Sequence, residues 1–247
     1  KDFGVDEGYS YTGRLVLMPG YANPDFGLHF GMAGSYRTPT TDAELPGSFR
    51  YSTRSLTSIN RKKYLDTDDI ANVDHALMGG LELAAYYKGL RFQGEYISNR
   101  VTLEQNGGEE KFGGFYVYGS WIMFGGKHTY DAAAGEFTQP SRGKEWGDLE
   151  LAFRYDYIDL NSRQEGVMGG AADGYTLGLN WHANENVKFM LNYAILNHDR
   201  YATGKGKLYV GHDIDGNLTK DPAQVIDAAG KAGEDFSFLS IRCEIDF

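Results

Sequence analysis

Residues 147–160 read GDLELAFRYDYIDL, and the alternation in this stretch decides the fold. Successive side chains of a β-strand point to opposite faces of a sheet. With that period, one face of the stretch carries Leu149, Leu151, Phe153, Tyr155 and Tyr157, and the other carries Asp148, Glu150, Arg154 and Asp156. Such a strand fits a soluble sandwich, whose apolar face is the core. It also fits an outer-membrane barrel, whose apolar face meets lipid and whose charged face lines a wet lumen.

The same alternation recurs in other parts of the chain. The candidate strands are 11–18, 26–37, 47–55, 74–88, 90–103, 112–124, 147–160, 174–182, 187–198 and 235–247. Several run for about 9–14 residues, which exceeds the mean soluble strand and matches a tilted bilayer crossing. Residues 56–73, 161–173 and 199–234 are predicted as loops, whereas 125–146 is either a structured connection or an extra hairpin. Strand length therefore favours the membrane barrel.

Composition narrows the class further. The 33 glycines, 18 tyrosines and 14 phenylalanines in 247 residues favour strands and tight turns in one domain, residues 1–247. No apolar run reaches the roughly 20 residues of a membrane helix, so a membrane location requires a β-barrel. A net charge of -10 argues against a nucleic-acid partner. The single cysteine, Cys243, excludes an internal disulfide.

Charged residues on the polar faces are candidates for the lining of a pore. The cations are Arg14, Arg37, Arg50, Arg54, Arg91, Arg154, Lys188 and Arg242, and the carboxylates are Glu82, Glu95, Glu150, Asp156, Glu244 and Asp246. Cross-strand pairing of these opposite charges, which supports a polar wall, is the simpler interpretation. A ladder of cations that attracts anions is the alternative.

The apolar faces end in aromatic residues. A girdle at the lipid headgroups is predicted for Trp121, Trp181, Tyr157, Tyr175 and Tyr193, because Trp and Tyr favour that interface. Sugar stacking inside the pore is the rival interpretation. In the alternation of their strands these residues fall on the apolar, outward face, which favours the girdle.

No motif for chemistry or for a cofactor is found. The histidines lack paired metal-ligand spacing, and no nucleophile motif is recognisable, so we expect neither a cofactor nor an enzyme. Asp213, Asp215 and Asn217 alternate like the opening of a calcium loop. Gly216 is misplaced for such a loop and no glutamate closes it, so a solvated turn is the favoured interpretation.

Four segments resemble the phosphate-selective porin O and P family. They are FYVYGSW at 115–121, GEFTQP at 135–140, GDLELAFRYDYIDL at 147–160 and YTLGLNWHANENVKFMLNYA at 175–194. Agreement is strongest at 177–181 and 190–193. The sequence departs from the family pattern at Asp156, where the family has Ser, and at 184–186, where it has an Asn-Pro turn. It departs again at 125–126, where an acidic residue is replaced by glycine.

The resemblance implies a sixteen-stranded, trimeric diffusion pore in the bacterial outer membrane, passing small hydrophilic solutes that include anions such as phosphate. The ten candidate strands would then be its C-terminal portion. The earlier strands and the inward-folded constriction loop are expected before Lys1. The alternating strand that ends in Phe247 is similar to the terminal signal of such barrels. A barrel that does not conduct and docks a partner protein or lipoprotein through 199–234 is the alternative.

Overall fold

One antiparallel sheet dominates the computed structural model, which describes residues 8–20, 22–40, 47–57, 61, 63–104, 107–162, 166–199, 201–202, 211–219, 224, 226 and 235–245. The strands of this sheet are β1 (Ser10–Leu17), β2 (Phe26–Arg37), β5 (Val73–Tyr87), β6 (Leu90–Leu103), β7 (Glu109–Ile122), β10 (Asp148–Ser162), β11 (Val167–His182), β12 (Val187–His198) and β15 (Phe236–Ile245). Three short pairs stand apart from it: β3 (Ser52–Thr53) with β4 (Leu65–Asp66), β8 (Lys127–Asp131) with β9 (Glu136–Ser141), and β13 (Gly211–His212) with β14 (Leu218–Thr219).

The order of the large sheet is β1-β2-β5-β6-β7-β10-β11-β12-β15. Within the described residues β1 and β15 are the edges and do not pair with each other. The predicted all-β antiparallel fold is therefore confirmed, with nine strands in the sheet. Among the residues that the structure describes, no helix is long and apolar enough to cross a membrane.

The two faces of the sheet differ as the alternation predicts. The outer face carries the large apolar residues, and Leu81 and Ile241 are 60% and 77% exposed. Cys243 of β15 also lies exposed on this face. Apolar surface left in water costs about 25 cal/mol per Å². A continuous face of this kind therefore indicates contact with lipid or protein.

Two connections fold over the opposite, inner face. The first, the inner segment (described residues within 47–72), joins β2 to β5. Leu65 and Ile70 of this segment are buried against Phe112 and Leu160 of the wall. The Tyr64 ring lies 5.0 Å from that of Phe236, on the edge strand β15. The inner segment therefore crosses from β5 to the far edge of the sheet.

The inner segment corrects two predictions. The strand expected at 47–55 is wrong, because Ser52–Thr53 pairs with β4 and Phe49 bridges Ile70, so that both pair within the segment instead of joining the wall. The alternation arises because one side of the stretch packs on the wall through Tyr51, 5.5 Å from the Phe112 ring. Arg50 and Arg54 are consequently on this segment and not on a wall strand. The constriction loop that the resemblance places before Lys1 stays a prediction, and the described residues add an inward-folded segment between β2 and β5.

The second inward connection, the inner hairpin (123–147), joins β7 to β10 and contains β8 and β9. It resolves the uncertainty about 125–146 in favour of a hairpin. It lies at the end of the sheet that also holds the Lys88–Gly89 turn, opposite the end with the inner segment. This end of the sheet therefore holds both a two-residue turn and a long connection.

The bounds of the remaining strands differ slightly from the predicted ones. β11 begins at Val167, so most of the Gly-rich stretch 161–173 is strand and not loop. Glycine and alanine in that stretch hid the alternation, because small side chains give little contrast between faces. The long connection 199–234 lies mostly outside the described residues, as do Asp246 and Phe247.

Candidate pore-lining site

The inner face gathers most of the predicted pore-lining residues. Wall strands place there Arg14, Arg37, Glu82, Arg91, Glu95, Glu150, Arg154, Asp156, Lys188, Arg242 and Glu244. These residues alternate with the exposed apolar residues of the outer face, as the strand period requires. The site is therefore a charged wall that two inward connections partly cover.

Arg14 and Glu82 form one pair on this wall. The Arg14 Nε donates to Glu82 Oε1 at 2.9 Å, across the intervening strand β2. Gly31 of β2 makes this possible, because a Cβ there would lie 2.7 Å from Glu82 Oε2. His29 Nε2 approaches the same carboxylate oxygen at 3.1 Å, and its Nδ1 contacts the Tyr130 hydroxyl of the inner hairpin.

Arg91 differs from the ion-paired cations of the wall. Its guanidinium lies 3.7 Å from the Phe137 ring centroid and 5.2 Å from that of Tyr118. It donates to the Gln93 amide oxygen, and its buried Nε makes no hydrogen bond. In the described part of the chain no carboxylate lies within ion-pair distance of Arg91. Stacking on two rings therefore holds a cation whose charge is not neutralised by a neighbour.

Farther along the wall, Glu95 and Arg154 have partners. Glu95 Oε1 accepts from the Tyr116 hydroxyl and, at 3.4 Å, from Gln93 Nε2. Arg154 pairs with Asp156 through its Nε at 2.8 Å, and its guanidinium stacks on Tyr116 at 3.7 Å. The cross-strand pair Lys188–Glu244 joins at 2.9 Å, and Arg242 reaches the same carboxylate at 2.8 Å. Most wall cations are therefore ion-paired.

A buried polar cluster lies beneath the inner hairpin. Glu150 contacts His182 Nε2 at 2.9 Å, and accepts from Asn180 Nδ2 at 3.0 Å and from the Tyr118 hydroxyl at 3.2 Å. Ser120 Oγ lies 3.3 Å from His128 Nε2. Because Ser120 and His128 are both buried, a substrate has no access to this serine–histidine contact. The cluster is best explained as the packing between hairpin and wall.

Asp148 fixes the two ends of the inner hairpin. This fully buried carboxylate accepts from four backbone N–H groups, at distances from 2.8 to 3.0 Å. They belong to Phe124, Gly126, Gly143 and Leu149. Charge-assisted bonds of this kind are about twice as strong as neutral ones. The hairpin is therefore anchored at its base by one side chain.

Two further contacts hold the inner hairpin. Lys127 Nζ donates to Asp25 Oδ1 at 2.6 Å, and this hydrogen bond lowers the pKa of Asp25. Burial lowers the pKa of His128 to about 4, so that the buried imidazole is neutral at pH 7. The anchoring of the hairpin is therefore mostly polar.

Cavities remain between the wall and its covers, and two of them are half-open and similar in volume. One, of about 360 Å³, lies under the inner segment and has mostly apolar walls that include Phe112, Leu160 and Leu196. The other, of about 310 Å³, lies between the inner hairpin and β1, β2, β5 and β6, and is lined by charged residues. Glu95 borders both cavities.

The predicted girdle residues all lie on the outer face. Trp121 and Trp181 are near the turn end of the sheet, where Trp181 stacks on Phe189 at 5.4 Å. Tyr175 lies six residues from Trp181 along β11, toward the opposite end of the sheet. There Tyr157 and Tyr175 form a cluster of aromatic rings with Tyr155 and Phe115. Tyr193 lies opposite Leu177, between these two levels.

The candidate calcium residues form a turn. Asp213 Oδ1 accepts from the backbone N–H of Asp215 at 3.0 Å and of Asn217 at 2.8 Å. Among the described residues, no group of three or more His, Cys, Asp or Glu side chains is placed to hold a metal ion. The carboxylate of Asp213 thus caps the β13–β14 turn.

Sequence reasoning missed several residues that organise the site. The sequence showed only that the histidines lack metal-ligand spacing, yet four of them are buried and hydrogen-bonded: His29, His128, His182 and His198. The alternation places His29, His182 and His198 on the inner face of their strands. That position could have indicated a hydrogen-bond partner, because a buried histidine on a polar face needs one. His128, in the then unassigned stretch, offered no such signal.

Comparison with known proteins identifies relatives of the chain. The family model of phosphate-selective porin O and P matches residues 4–217. An uncharacterised protein of Caulobacter vibrioides is 32% identical over 204 residues, which make up 79% of this chain and 39% of that protein. Porin O of Pseudomonas aeruginosa is 26% identical over 152 residues, covering 57% of this chain and 33% of that protein. The chain thus spans well under half the length of these relatives.

Proposed function

We propose a diffusion-pore function from one premise: this chain belongs to the phosphate-selective porin O and P family, as its sequence resemblance predicted. The proposed function is passage of small hydrophilic solutes across the bacterial outer membrane, anions such as phosphate among them. The name of the relative in Pseudomonas aeruginosa, Porin O, supports a pore and not an enzyme.

The contrast between the two faces of the sheet carries this proposal. Exposed apolar side chains such as Leu81 and Leu177 cover the outer face, whereas charged pairs such as Arg14–Glu82 cover the inner one. A lipid-facing exterior and a wet, charged interior are the pattern of outer-membrane barrels. Two connections fold over the charged face, so solutes pass through a narrowed lumen.

Arg91 supports the passage of anions. Paired cations contribute little net field, because each charge is cancelled a few ångströms away. Arg91 keeps its charge in a site with aromatic walls on both sides. In a narrow pore an unpaired cation attracts anions and repels cations. We therefore assign to Arg91 a larger share of any anion preference than to Arg14 or Arg154.

Single-channel recording in planar bilayers tests both parts of the proposal. The full-length protein is expected to conduct and to show a reversal potential that favours anions across a salt gradient. Arg91→Gln should shift that potential toward cations. The double variant Arg14→Gln/Glu82→Gln, the matched control, should shift it less, because it removes a neutral pair and leaves the net charge of the wall unchanged. Absence of conductance from the full-length protein rejects the pore, and a cation preference of that protein rejects the anion preference.

We also propose a trimer in the outer membrane, on family grounds. Outer-membrane lipid and other copies of the chain would share the exposed outer face. Native mass spectrometry from detergent micelles measures the number of copies directly. A strictly monomeric species at all detergent concentrations contradicts the trimer without affecting the pore.

A further inference from the structure

The charged cavity under the inner hairpin brings both signs of charge together. Its volume is about 310 Å³, which is the lower end of the range for small-molecule sites and suits a metabolite of a few heavy atoms. Arg14, Arg91, Glu82, Glu95 and Glu136 contribute charged groups to its lining. The cavity is therefore neither a simple anion site nor a simple cation site.

Part of this charge is internally neutralised. Arg14 and Glu82 form a two-point ion pair, and His29 adds a further contact to Glu82. Arg91 has no carboxylate partner in the described part of the chain, and its stacking on Phe137 keeps it at the cavity wall. One positive group thus remains available to a ligand.

Two negative groups also remain available. Glu95 uses Oε1 for its bonds to Tyr116 and Gln93, whereas Oε2 makes no hydrogen bond within the described residues. Glu136, on the inner hairpin, makes no side-chain hydrogen bond or ion pair there. A phosphate dianion resting in this cavity would meet the two carboxylates as well as Arg91, so we expect it to bind here more weakly than a ligand that also carries a positive group.

The spacing of the charges suits a ligand that carries both signs. Arg91, Gln93 and Glu95 are alternate residues of β6, and the Gln93 amide lies between the guanidinium and the carboxylate. The free charges are therefore separated by about the length of one amide group with its hydrogen bonds. An α-amino acid presents a carboxylate and an ammonium a few ångströms apart, each able to form bonds of about 2.9 Å.

We propose that this cavity binds α-amino acids as zwitterions, with the carboxylate on Arg91 and the ammonium group on Glu95 and Glu136. The inference rests on the proposed pore, of which it would be a subsite with its own solute preference. Charge-assisted bonds at both ends would give a zwitterion an advantage over solutes of the same size that carry one charge.

Equilibrium binding to the detergent-solubilised full chain tests the subsite independently of conductance. The probes are L-alanine, propionate, isopropylamine and inorganic phosphate, followed by calorimetry or ligand-observed NMR. L-Alanine is expected to bind about tenfold more tightly than propionate or isopropylamine, which corresponds to one additional charge-assisted contact. Equal affinities for all three organic probes would overturn the proposal.

Variants assign the two ends of the ligand. Arg91→Gln should abolish the advantage of L-alanine over isopropylamine. Glu95→Gln or Glu136→Gln should abolish its advantage over propionate and strengthen phosphate binding. Glu185→Gln, an exposed carboxylate on the β11–β12 turn, is the matched control and should change nothing. Unchanged L-alanine binding in both glutamate variants would overturn the assignment. Glu136 is exposed on a hairpin, so its variant does not depend on the stability of the wall.

Failure of this inference and failure of the pore are distinguishable. A chain that conducts ions but binds L-alanine no better than propionate retains the proposed function and lacks the subsite. A chain that binds L-alanine with the expected variant pattern but carries no current has the subsite and lacks the pore.

Discussion

The inner segment and the inner hairpin cover the same charged wall by different physical means. The inner segment is held by apolar burial, with Leu65 completely buried among wall residues. The inner hairpin is held by polar contacts, chiefly the four backbone bonds to Asp148 and the Lys127–Asp25 pair. Apolar burial is insensitive to pH, whereas hydrogen bonds and ion pairs depend on protonation and salt. The two covers should therefore respond differently to the same change of conditions.

The largest effect is expected for the apolar cover. Leu65→Ala removes a buried side chain and leaves a cavity, which costs about 2–5 kcal/mol. Urea unfolding of the chain in lipid vesicles measures this loss. Leu56→Ala, at a half-exposed position of the same segment, is the control and should cost clearly less. Equal losses at both positions would contradict apolar anchoring of the inner segment.

The next effect concerns the base of the hairpin. Asp148→Asn replaces an acceptor oxygen by an amide that faces backbone N–H groups, at a cost of about 2–3 kcal/mol. Hydrogen exchange at Gly126 and Gly143 should become faster, while amides of the inner segment stay protected. Asp213→Asn, in an exposed turn with a similar cap, should leave both regions unchanged. Equally faster hydrogen exchange in the inner hairpin and the inner segment would show that the two covers are not independent.

A smaller effect follows from pH. The pKa of His128 is about 4 when the hairpin is in place and returns to about 6.5 when the hairpin is released. The released form therefore binds the proton more readily. The hairpin has its full stability above pH 6.5 and loses it as pH falls toward 4, by about 1.4 kcal/mol at pH 5.5.

Protease sensitivity of the hairpin between pH 7.5 and 5 measures this loss. His128→Gln should flatten the dependence, because glutamine does not titrate. All other ionisable groups are the same in both proteins, so the difference between the two curves isolates His128. A profile of the same steepness in the variant would refute the assignment.

The smallest effect is expected at an exposed ion pair beside the base of the hairpin. Lys127→Met removes the ion pair with Asp25, which is open to solvent and screened by salt. The variant should differ from the unchanged chain only at low ionic strength, as seen by hydrogen exchange in β8. It should also bring the pKa of Asp25 back up toward its ordinary value. A difference that persists at 1 M salt would point to packing of the lysine stem instead.

The sheet was predictable from sequence, and its covers were not. Alternation in strands such as β10 and β12 separates an exposed apolar face from a charged one, so the faces could be assigned residue by residue. Phe49 and Tyr51 alternate with Arg50 in the same way, although their apolar side packs on the wall and is not exposed. A local pattern cannot distinguish these two apolar surroundings.

The particular ion pairs within the site could not be predicted from the sequence either. Arg14 and Glu82 are far apart in the chain and meet across β2 only because Gly31 leaves room between them. Cross-strand pairing of the wall cations was nevertheless the favoured interpretation. The structure contains cross-strand pairs at Arg14 and Lys188, whereas Arg154 and Arg242 pair within their own strands. The position of Arg91, which has no ion pair among the described residues, depends on Phe137, in the stretch whose fold the sequence left open.

Cys243 offers a direct view of the edge of the sheet. It is the only thiol in the sequence and lies exposed on the outward side of β15. A single maleimide fluorophore or nitroxide attached there would label one known position without any prior removal of cysteines. Its emission colour or its accessibility to oxygen would then report whether that edge meets acyl chains, water or a neighbouring subunit.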